Sequence, residues 1–349
     1  MLDSIHLLLD SFPEALIQAR DGLVAGANAA ARQILPQLQV NAPLPDCLAL
    51  PARAPSGAGT FTLGQTVYSF SLTSSGPEQI ILFRPAPQAA LTGPQLAGTL
   101  RQLRELLGEM MVEVGPLTGE QEARLPRSAF NRSFHRLFRL LDNLEYMREA
   151  GSPGGISFHP TTMNLDALCR ETVSRAQEFL FQVGVRLEYE SVSPGLLIPG
   201  DSELLRQLLL GLISNSARAA RDGAVLLTLR RQGARALLTL SDTGPLPSQR
   251  DLDALFQRGM EDCLPRPGQG AGLGLSVIRN ITAVHRGTML VQWGSAAPSV
   301  SISLPTGPLE PRVSVNTPHG PLRNGGLDPV LVALSDVLPA KLFELEGLD

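Results

Sequence analysis

The strongest helical pattern in the chain lies in residues 201–221. Apolar residues recur there at spacings of three and four, the period of one helix face: Leu204, Leu205, Leu208, Leu209, Leu212 and Ile213. Asp201 or Ser202 stands just before this run and is a suitable N-cap. Because a face this broad must be buried, we expect the helix to lie on a sheet.

Short apolar runs around this helix predict the rest of a mixed α/β unit over residues 156–305. Asn164 is expected to cap a helix over 165–181, and Pro199-Gly200 is expected to form a turn. Two further helices are predicted, a short one over 252–258 and a longer one over 273–285. Strands are predicted over 185–189, 224–230, 236–241, 288–293 and 299–304.

The first 86 residues predict a small α/β unit. A short apolar helix pattern comes first, and Asn28 is expected to cap a helix over 29–35. The predicted strands are 12–19, 23–25, 60–72 and 79–83, separated by turn residues.

Residues 87–155 predict two amphipathic helices, over 95–114 and 128–149, each with an apolar stripe. Two such helices cannot bury both faces alone. Either they dimerise into a four-helix bundle, or the hairpin packs on a neighbouring domain. The Pro- and Gly-rich residues that follow position 305 lead to an apolar stretch over 327–345. The sequence leaves open whether this tail docks on the sheet or binds a partner.

Composition narrows the class of protein. A chain of 349 residues is long enough for two or three domains. A net charge of −4 argues against a general nucleic-acid binder. No apolar run approaches the ~20 residues of a membrane helix, so we expect no membrane span and a cytoplasmic location. The three cysteines lie far apart, which predicts reduced thiols rather than a zinc site or disulfide.

A glycine-rich loop carries the first chemical signal. Gly270, Gly272 and Gly274 stand at the start of the predicted 273–285 helix. Glycines leave backbone N–H groups uncovered, and a helix N-terminus favours anions, so the loop predicts a phosphate site. A glycine-rich connection without a ligand is the alternative.

Three segments in order, around Asn215, Asp242 and the glycine loop, resemble the N, G1 and G2 motifs of the GHKL ATP-binding fold of sensor histidine kinases, gyrases and related ATPases. The N-terminal unit resembles a PAS sensor domain in three stretches, Pro13-Glu14-Ala15-Leu16-Ile17, Asp21-Gly22-Leu23-Val24 and Asn28-Ala29-Ala30. The whole plan is therefore similar to a sensor histidine kinase of multi-domain α+β class. The resemblance implies a PAS-like sensor over 1–86, a helical-hairpin dimerisation region over 87–155, an ATP-binding α/β sandwich over 156–305 and an extension over 306–349.

The resemblance also implies a Mg-ATP site. Asn215 would ligate Mg²⁺, and the carboxylate of Asp242, followed by Gly244, would accept the adenine amino group. Backbone amides at the glycine loop would bind phosphates, at Gly270, Gly272, Leu273 and Gly274. Arg218 would lie near phosphate, as would Arg258 and Arg266 in the predicted ATP lid. The alternatives are an Asn that bonds within a buried helix, an Asp in a turn, and arginines on the surface.

The sequence departs from the histidine kinase pattern at several positions. Gly211 takes the place of the first Asn of the N motif, and Leu246 the place of the second Gly of the Asp-x-Gly-x-Gly turn. Met111 aligns with the phosphoacceptor histidine and Val112 with the adjacent carboxylate. Because a thioether cannot attack a γ-phosphoryl group, we expect no autophosphorylation there.

His135 lies on the second hairpin helix, where it is either a displaced acceptor or, as we favour, a solvated histidine. Two functions follow from the resemblance. The first is phosphoryl transfer from ATP to a histidine or other acceptor. The expected partners are a response regulator or other signalling protein and a second copy of the chain, as a homodimer. The second is a degenerate, ATP-binding regulator that acts through partner binding. A third alternative is a serine-directed kinase of anti-sigma type, which shares the ATP-binding fold. Such kinases normally lack the PAS and hairpin regions, so this alternative is disfavoured.

Overall fold

The computed structural model describes residues 12–48, 56–64, 66–86, 93–114, 127–152, 155–220, 222–245, 273–292, 297–307 and 327–343. These residues form a mixed α+β structure with a ten-stranded sheet and a separate two-stranded sheet. Within these ranges, no helix is both long and apolar enough to cross a membrane.

The N-terminal unit consists of five antiparallel strands and a short helix: β1 (Ala15–Arg20), β2 (Leu23–Ala27), α1 (Ala29–Ile34), β3 (Gly57–Leu63), β4 (Thr66–Ser75) and β5 (Glu78–Pro85). Asn28 caps α1 as predicted, because its Oδ1 accepts from Ala31 N at 2.9 Å. The single strand predicted over 60–72 is wrong. A turn at Gly64, with φ of +62°, divides this segment between β3 and β4.

Two long helices follow, α2 (Gly93–Val114) and α3 (Arg127–Ala150), which confirms both helices predicted from periodicity. They pack against each other, and Glu109 of α2 accepts hydrogen bonds from Ser133 and Arg136 of α3. Leu106, Leu140 and Met147 lie in the same buried core as the following α/β unit. The hairpin therefore packs on a neighbouring domain, the second of the two arrangements left open above. Dimerisation stays a prediction.

The α/β unit follows in chain order: β6 (Thr161–Asn164), α4 (Leu165–Phe181), β7 (Arg186–Ser191), β8 (Leu197–Gly200), α5 (Ser202–Ala220), β9 (Ala224–Gln232), β10 (Arg235–Asp242), α6 (Leu273–Val284), β11 (Thr288–Gln292) and β12 (Ser299–Pro305). Asn164 and Asp201 cap α4 and α5 as predicted. The turn predicted at Pro199-Gly200 is wrong, because these residues end β8 and pair with β6. The short helix predicted over 252–258 lies outside the described residues.

One large sheet spans both units in the order β2-β1-β5-β4-β3-β11-β12-β10-β9-β7. Helix α5 packs on β9 and β10, as its broad apolar face predicted. The units meet where β3 pairs antiparallel with β11, with Gly59 opposite Leu290. Leu290 is buried in the N-terminal core, whereas its neighbour Met289 is buried in the main core. The periodicity of the sequence does not predict this junction.

The end of the chain forms helix α7 (Pro329–Leu334) and a 3₁₀ helix (Ala340–Phe343). Asp328 caps α7, with Oδ1 accepting from Val330 N at 2.8 Å. Both elements pack on α3, and α7 also packs on α5. This part of the tail therefore docks within its own chain, against helices.

Candidate nucleotide site

The turn that follows β10 holds Asp242 in a fixed position. Asp242 is 9% exposed, and its Oδ1 accepts a hydrogen bond from Gly244 N at 2.9 Å. A Cβ atom at Gly244 would lie 2.7 Å from that oxygen and 2.9 Å from Ala219 of α5. Only glycine fits this close approach, so the turn is seated directly on the C-terminal end of α5.

Thr243 secures the other side of the same turn. Its Oγ1 accepts from Ala224 N at 3.0 Å, and its backbone N donates to Ala224 O at 3.1 Å. A Cβ atom at Gly223 would lie 2.1 Å from this hydroxyl oxygen. The Asp-Thr-Gly segment is thus bound to the start of β9 as well as to α5.

Asn215 lies on α5 and faces the first turn of α6. A Cβ atom at Gly274 would lie 3.8 Å from both the oxygen and the nitrogen of the Asn215 amide. One turn earlier on α5, a Cβ atom at Gly211 would lie 3.4 Å from Ile278 of α6. Both distances are ordinary van der Waals contacts. The two helices are therefore closely packed where two of the three motifs meet.

Arg218 contacts Asn215 directly. Its Nη2 donates to the Asn215 Oδ1 at 3.3 Å, and both side chains are half-buried. The carbonyl oxygen that we expect to ligate Mg²⁺ is thus engaged by a guanidinium group. An amide oxygen has two lone pairs, so Arg218 occupies one of them and the other remains for a metal ion.

A buried histidine joins the N-terminus of α5 to the C-terminus of α6. The Asp201 N donates to His285 Nε2 at 3.0 Å, and His285 Nδ1 lies 2.8 Å from Ile281 O. Since Nε2 accepts, the proton lies on Nδ1 and the ring is neutral. Burial lowers the pKa of His285. His285 therefore has a structural role, because it connects two helices.

Some predicted site residues lie outside the described residues, namely Gly270, Gly272, Leu246, Arg258 and Arg266. Leu273 is the first residue of α6 and its side chain is buried in the main core. Its predicted role, a backbone amide at the phosphate loop, does not involve that side chain. Met111 and Val112 belong to α2.

His135 is buried, with 7% exposure, so the prediction of a solvated histidine is wrong. Its Nδ1 lies 2.7 Å from Asn131 O, and its ring lies edge-on to Phe343 at a centroid distance of 5.0 Å. The reason is the C-terminal 3₁₀ helix, whose Phe343 covers the imidazole. A displaced acceptor at this position would be shielded from ATP in this conformation.

A charged cluster around Asp336, which the sequence patterns do not predict, lies on α3 beside the candidate site. Asp336 Oδ1 accepts from Arg136 Nε, and its Oδ2 accepts from Arg139 Nη1, each at 2.9 Å. Burial alone would raise the pKa of Asp336, but the guanidinium groups of Arg139, Arg136 and Arg218 hold it below its ordinary value. The available signal was the carboxylate of Asp336 among the apolar residues of the stretch over 327–345.

Among the described residues, no group of three or more His, Cys, Asp or Glu side chains is arranged to hold a metal ion. Cys47 and Cys169 are free thiols, and burial raises the pKa of Cys169 to about 12. Cys263 lies outside these ranges.

Comparisons with known proteins agree with this geometry. Residues 200–308 match the sequence model of the histidine kinase-, DNA gyrase B- and HSP90-like ATPases. The adaptive-response sensory kinase SasA of Crocosphaera subtropica is 25% identical over 177 residues, which are 49% of this chain and 46% of that protein. The signal transduction histidine-protein kinase BaeS of Escherichia coli is 25% identical over 232 residues, 60% of this chain and 49% of that protein.

The chain spans about half the length of these two relatives. Among solved structures, the histidine kinase AdeS of Acinetobacter baumannii superposes with a TM-score of 0.48 at 18% identity, over 59% of this chain and 98% of that chain. The α5–α6 site thus falls within the matched ATPase region. Residues 200–308 therefore form an ATPase domain of the histidine kinase-, DNA gyrase B- and HSP90-like type, and about half of the chain or more is similar in sequence to sensor histidine kinases.

Proposed function

We propose that this chain is a histidine kinase-like signalling protein that binds Mg-ATP at the C-terminal half of α5. The observation that carries the proposal is the convergence of three separate segments on that half-helix. Gly274 lies against Asn215, and Gly244, which bonds to Asp242, lies against Ala219. Residues that are far apart in sequence thus supply a carboxylate, an amide and a helix N-terminus around one place.

The donor set fits Mg-ATP. The Asp242 carboxylate offers only acceptor sites and would select the amino group of adenine. Asn215 would give Mg²⁺ one protein oxygen, which suffices because this ion takes its other ligands from phosphate and water. Gly274 lacks a side chain beside that amide, which leaves room for phosphate at the N-terminus of α6.

Arg218 has two positions in this proposal. Without nucleotide it donates to Asn215 Oδ1, and with Mg-ATP it would release that oxygen and pair with a phosphate. An arginine one turn along the helix from the metal ligand can make this exchange by rotating its side chain alone. Bidentate pairing with phosphate then replaces a single hydrogen bond to a neutral amide.

Two outcomes of ATP binding remain, and one observation favours the second. The first is phosphoryl transfer to a response regulator through an acceptor on the hairpin. The second is a regulator that binds ATP without transfer. Met111 stands at the usual acceptor position, and His135 is buried under Phe343. We therefore propose that the ATP-bound form acts mainly through partner contacts, with the five-stranded N-terminal unit as a PAS-like sensor.

Labelled nucleotide tests this proposal in the full chain. The protein is incubated with γ-labelled ATP and Mg²⁺, with and without candidate response regulators, and ATP binding is measured for Asp242→Asn. Asp21→Asn is the matched control, because it makes the same change at an exposed turn of the N-terminal unit. We expect Asp242→Asn alone to weaken binding about tenfold or more, by loss of a charge-assisted hydrogen bond.

The possible results separate the alternatives. Tight binding without covalent label supports the regulator. Acid-labile label on the native chain that is absent from His135→Ala would instead support phosphoryl transfer through His135. Equal ATP binding by Asp242→Asn and the native chain would overturn the assignment of the nucleotide site.

A further inference from the structure

Strand β11 belongs to the cores of both units. It pairs with β12 of the α/β unit on one side and with β3 of the N-terminal unit on the other. Successive side chains of a strand point to opposite faces of its sheet. Here Leu290 is buried in the N-terminal core, while Met289 is buried in the main core. A side chain of the ATPase domain therefore completes the core of the N-terminal unit.

The N-terminal unit holds β11 by backbone and side-chain contacts. A Cβ atom at Gly59 would lie 2.0 Å from the Met289 carbonyl oxygen, so only glycine allows the two strands to approach this closely. The hydroxyl of Thr288, the first residue of β11, donates to Cys47 O at 2.7 Å. Cys47 lies in a 3₁₀ helix of the N-terminal unit, Asp46–Leu48. The junction thus fixes both the path of β11 and its first residue.

A short turn joins β11 to α6. Only residues 285–287 separate the two elements. Gly287 N donates to Thr282 O at 2.8 Å, and a Cβ atom at Gly287 would lie 2.9 Å from that same oxygen. Arg235 Nη2 donates to Arg286 O at 3.3 Å, and α6 also contacts β3 directly. A turn this short and this well bonded leaves α6 and β11 little freedom to move separately.

The other end of α6 is the candidate nucleotide site. Gly274 in the first turn of the helix faces Asn215, and the helix N-terminus is the place proposed for phosphate. With 12 residues, α6 is about 18 Å long. Hydrogen bonds join each turn of a helix to the next, so a shift of one end moves the other. The position of β11 therefore sets the position of the phosphate-binding end.

We propose that the N-terminal unit positions the nucleotide site through β11 and α6, with Leu290 as the positioning residue. This inference rests on the proposed function, because it concerns the regulation of the same site. The route is direct, since it does not pass through the hairpin that separates the two units in sequence. A site whose parts are already held in place loses less entropy when its ligand binds, so the closed junction favours Mg-ATP. Coupling is reciprocal, so Mg-ATP must also stabilise the junction.

Calorimetric titration of the full chain with Mg-ATP tests the proposal. Leu290→Ala removes a side chain that is 1% exposed and lies in the N-terminal core. We expect it to weaken binding about fivefold or more, the lower end of typical coupling between sites. Leu35→Ala is the matched control, because Leu35 is fully buried in the same core but follows α1, which packs on β1. Leu290→Met keeps most of the side-chain volume and should restore the native affinity.

Hydrogen exchange separates positioning from a general loss of stability. In the native chain, saturating Mg-ATP should slow exchange in peptides from β3 and β11, the two strands of the junction. In Leu290→Ala the protection of β3 should be lost, while the nucleotide still protects the C-terminal half of α5. Leu35→Ala should keep the native response. Destabilisation without coupling would not change which peptides the nucleotide protects.

A second variant covers the case in which the cavity at position 290 unfolds the N-terminal unit. Thr288→Val is close in shape to the native residue and removes the hydroxyl that donates to Cys47 O. It should weaken Mg-ATP binding about twofold, in line with the loss of a single hydrogen bond at the junction. Circular dichroism verifies that each variant is folded.

Native Mg-ATP affinity in Leu290→Ala and Thr288→Val, with β3 exchange indifferent to nucleotide, would overturn the proposal. An equal loss of affinity in Leu35→Ala would also overturn it, because general instability of the N-terminal unit would then explain the effect. In either case the proposed function still stands if Asp242→Asn weakens ATP binding. Absence of ATP binding in every protein, the native chain included, would instead overturn the proposed function.

Discussion

A single glycine at the junction of the two units allows a quantitative prediction about the ten-stranded sheet. Gly59 of β3 lies opposite Leu290 of β11. A Cβ atom added at Gly59 would lie 2.0 Å from the Met289 carbonyl oxygen and 2.7 Å from the ring of Phe70. The first of these is backbone, which cannot move aside as the end of a side chain can. Gly59→Val must therefore push β3 and β11 apart.

The expected loss of stability has three contributions at the junction. Overpacking of a closed site costs about 1–3 kcal/mol, and each ladder hydrogen bond that is lost costs about 1 kcal/mol. Leu290 is 1% exposed, and uncovering such a side chain costs about 1.5–3 kcal/mol. We expect Gly59→Val to lower the free energy of unfolding by roughly 4 kcal/mol, a large part of the ~5–15 kcal/mol of a typical domain.

Urea unfolding with two probes measures this effect. The single tryptophan, Trp293, directly follows β11 in sequence and supplies the fluorescence signal, while circular dichroism reports on the whole chain. The native chain should unfold with coincident transitions, whereas Gly59→Val should have a lower midpoint and transitions that separate. Gly108→Ala is the control, because a Cβ atom there meets nothing within 4 Å. A midpoint for Gly59→Val equal to that of the native chain would refute the junction.

Three further predictions concern charge and self-association. Burial, and next Glu145, raise the pKa of Asp142 to about 6. The contribution of Asp142 to stability is therefore full below pH 3.8 and is lost as the pH rises through 6. Asp142→Asn should raise the free energy of unfolding by about 1–2 kcal/mol at pH 8 and hardly at pH 4, as measured by urea unfolding. The lowered pKa of His285 has the opposite effect on the pH dependence of stability. The neutral ring stabilises the fold above about pH 6.5, and this stability is lost as the pH falls, by up to ~1.4 kcal/mol per pH unit. Unfolding of the Asp142→Asn variant between pH 5 and 8 isolates this effect, and a flat profile would contradict it. Leu100 is 45% exposed on α2, beside the similarly exposed Leu96, so Leu100→Glu should convert the proposed dimer to monomer in light scattering; an unchanged mass would exclude this face.

Local signals predicted most of the helices correctly. The caps at Asn28, Asn164 and Asp201 are contacts between neighbours in sequence, and the structure confirms each of them. The failures are short or divided strands. Strands β6 and β8 have four residues each, too few to show a period, and the turn at Gly64 divides a segment that is otherwise uniform in residue type.

Long-range pairings lay beyond the reach of sequence reasoning. The β3–β11 junction joins positions more than 200 residues apart, and its only local trace is the pair Gly57 and Gly59 within a strand. Glycine inside a strand often marks a close approach of backbone, which is the case here. The partner of that approach depends on which sheet edges are left free after each unit folds, and single-sequence periodicity does not record it.

The candidate site also combines local features, which the sequence predicts, with long-range contacts, which it does not. The positions of Asn215, Asp242 and Gly274 follow from short motifs that each depend on a few neighbouring residues, and their convergence on α5 follows from the order of those motifs. The contacts that surround these residues do not follow from the motifs. Arg218 donates to Asn215, and its charge also helps to lower the pKa of Asp336, a residue 118 positions later whose own partners lie on α3. A carboxylate in an apolar segment indicates that something buried must neutralise it, but not which helix supplies the arginine. The motif therefore predicts where a nucleotide binds, whereas how tightly it binds depends on contacts that only the folded chain brings together.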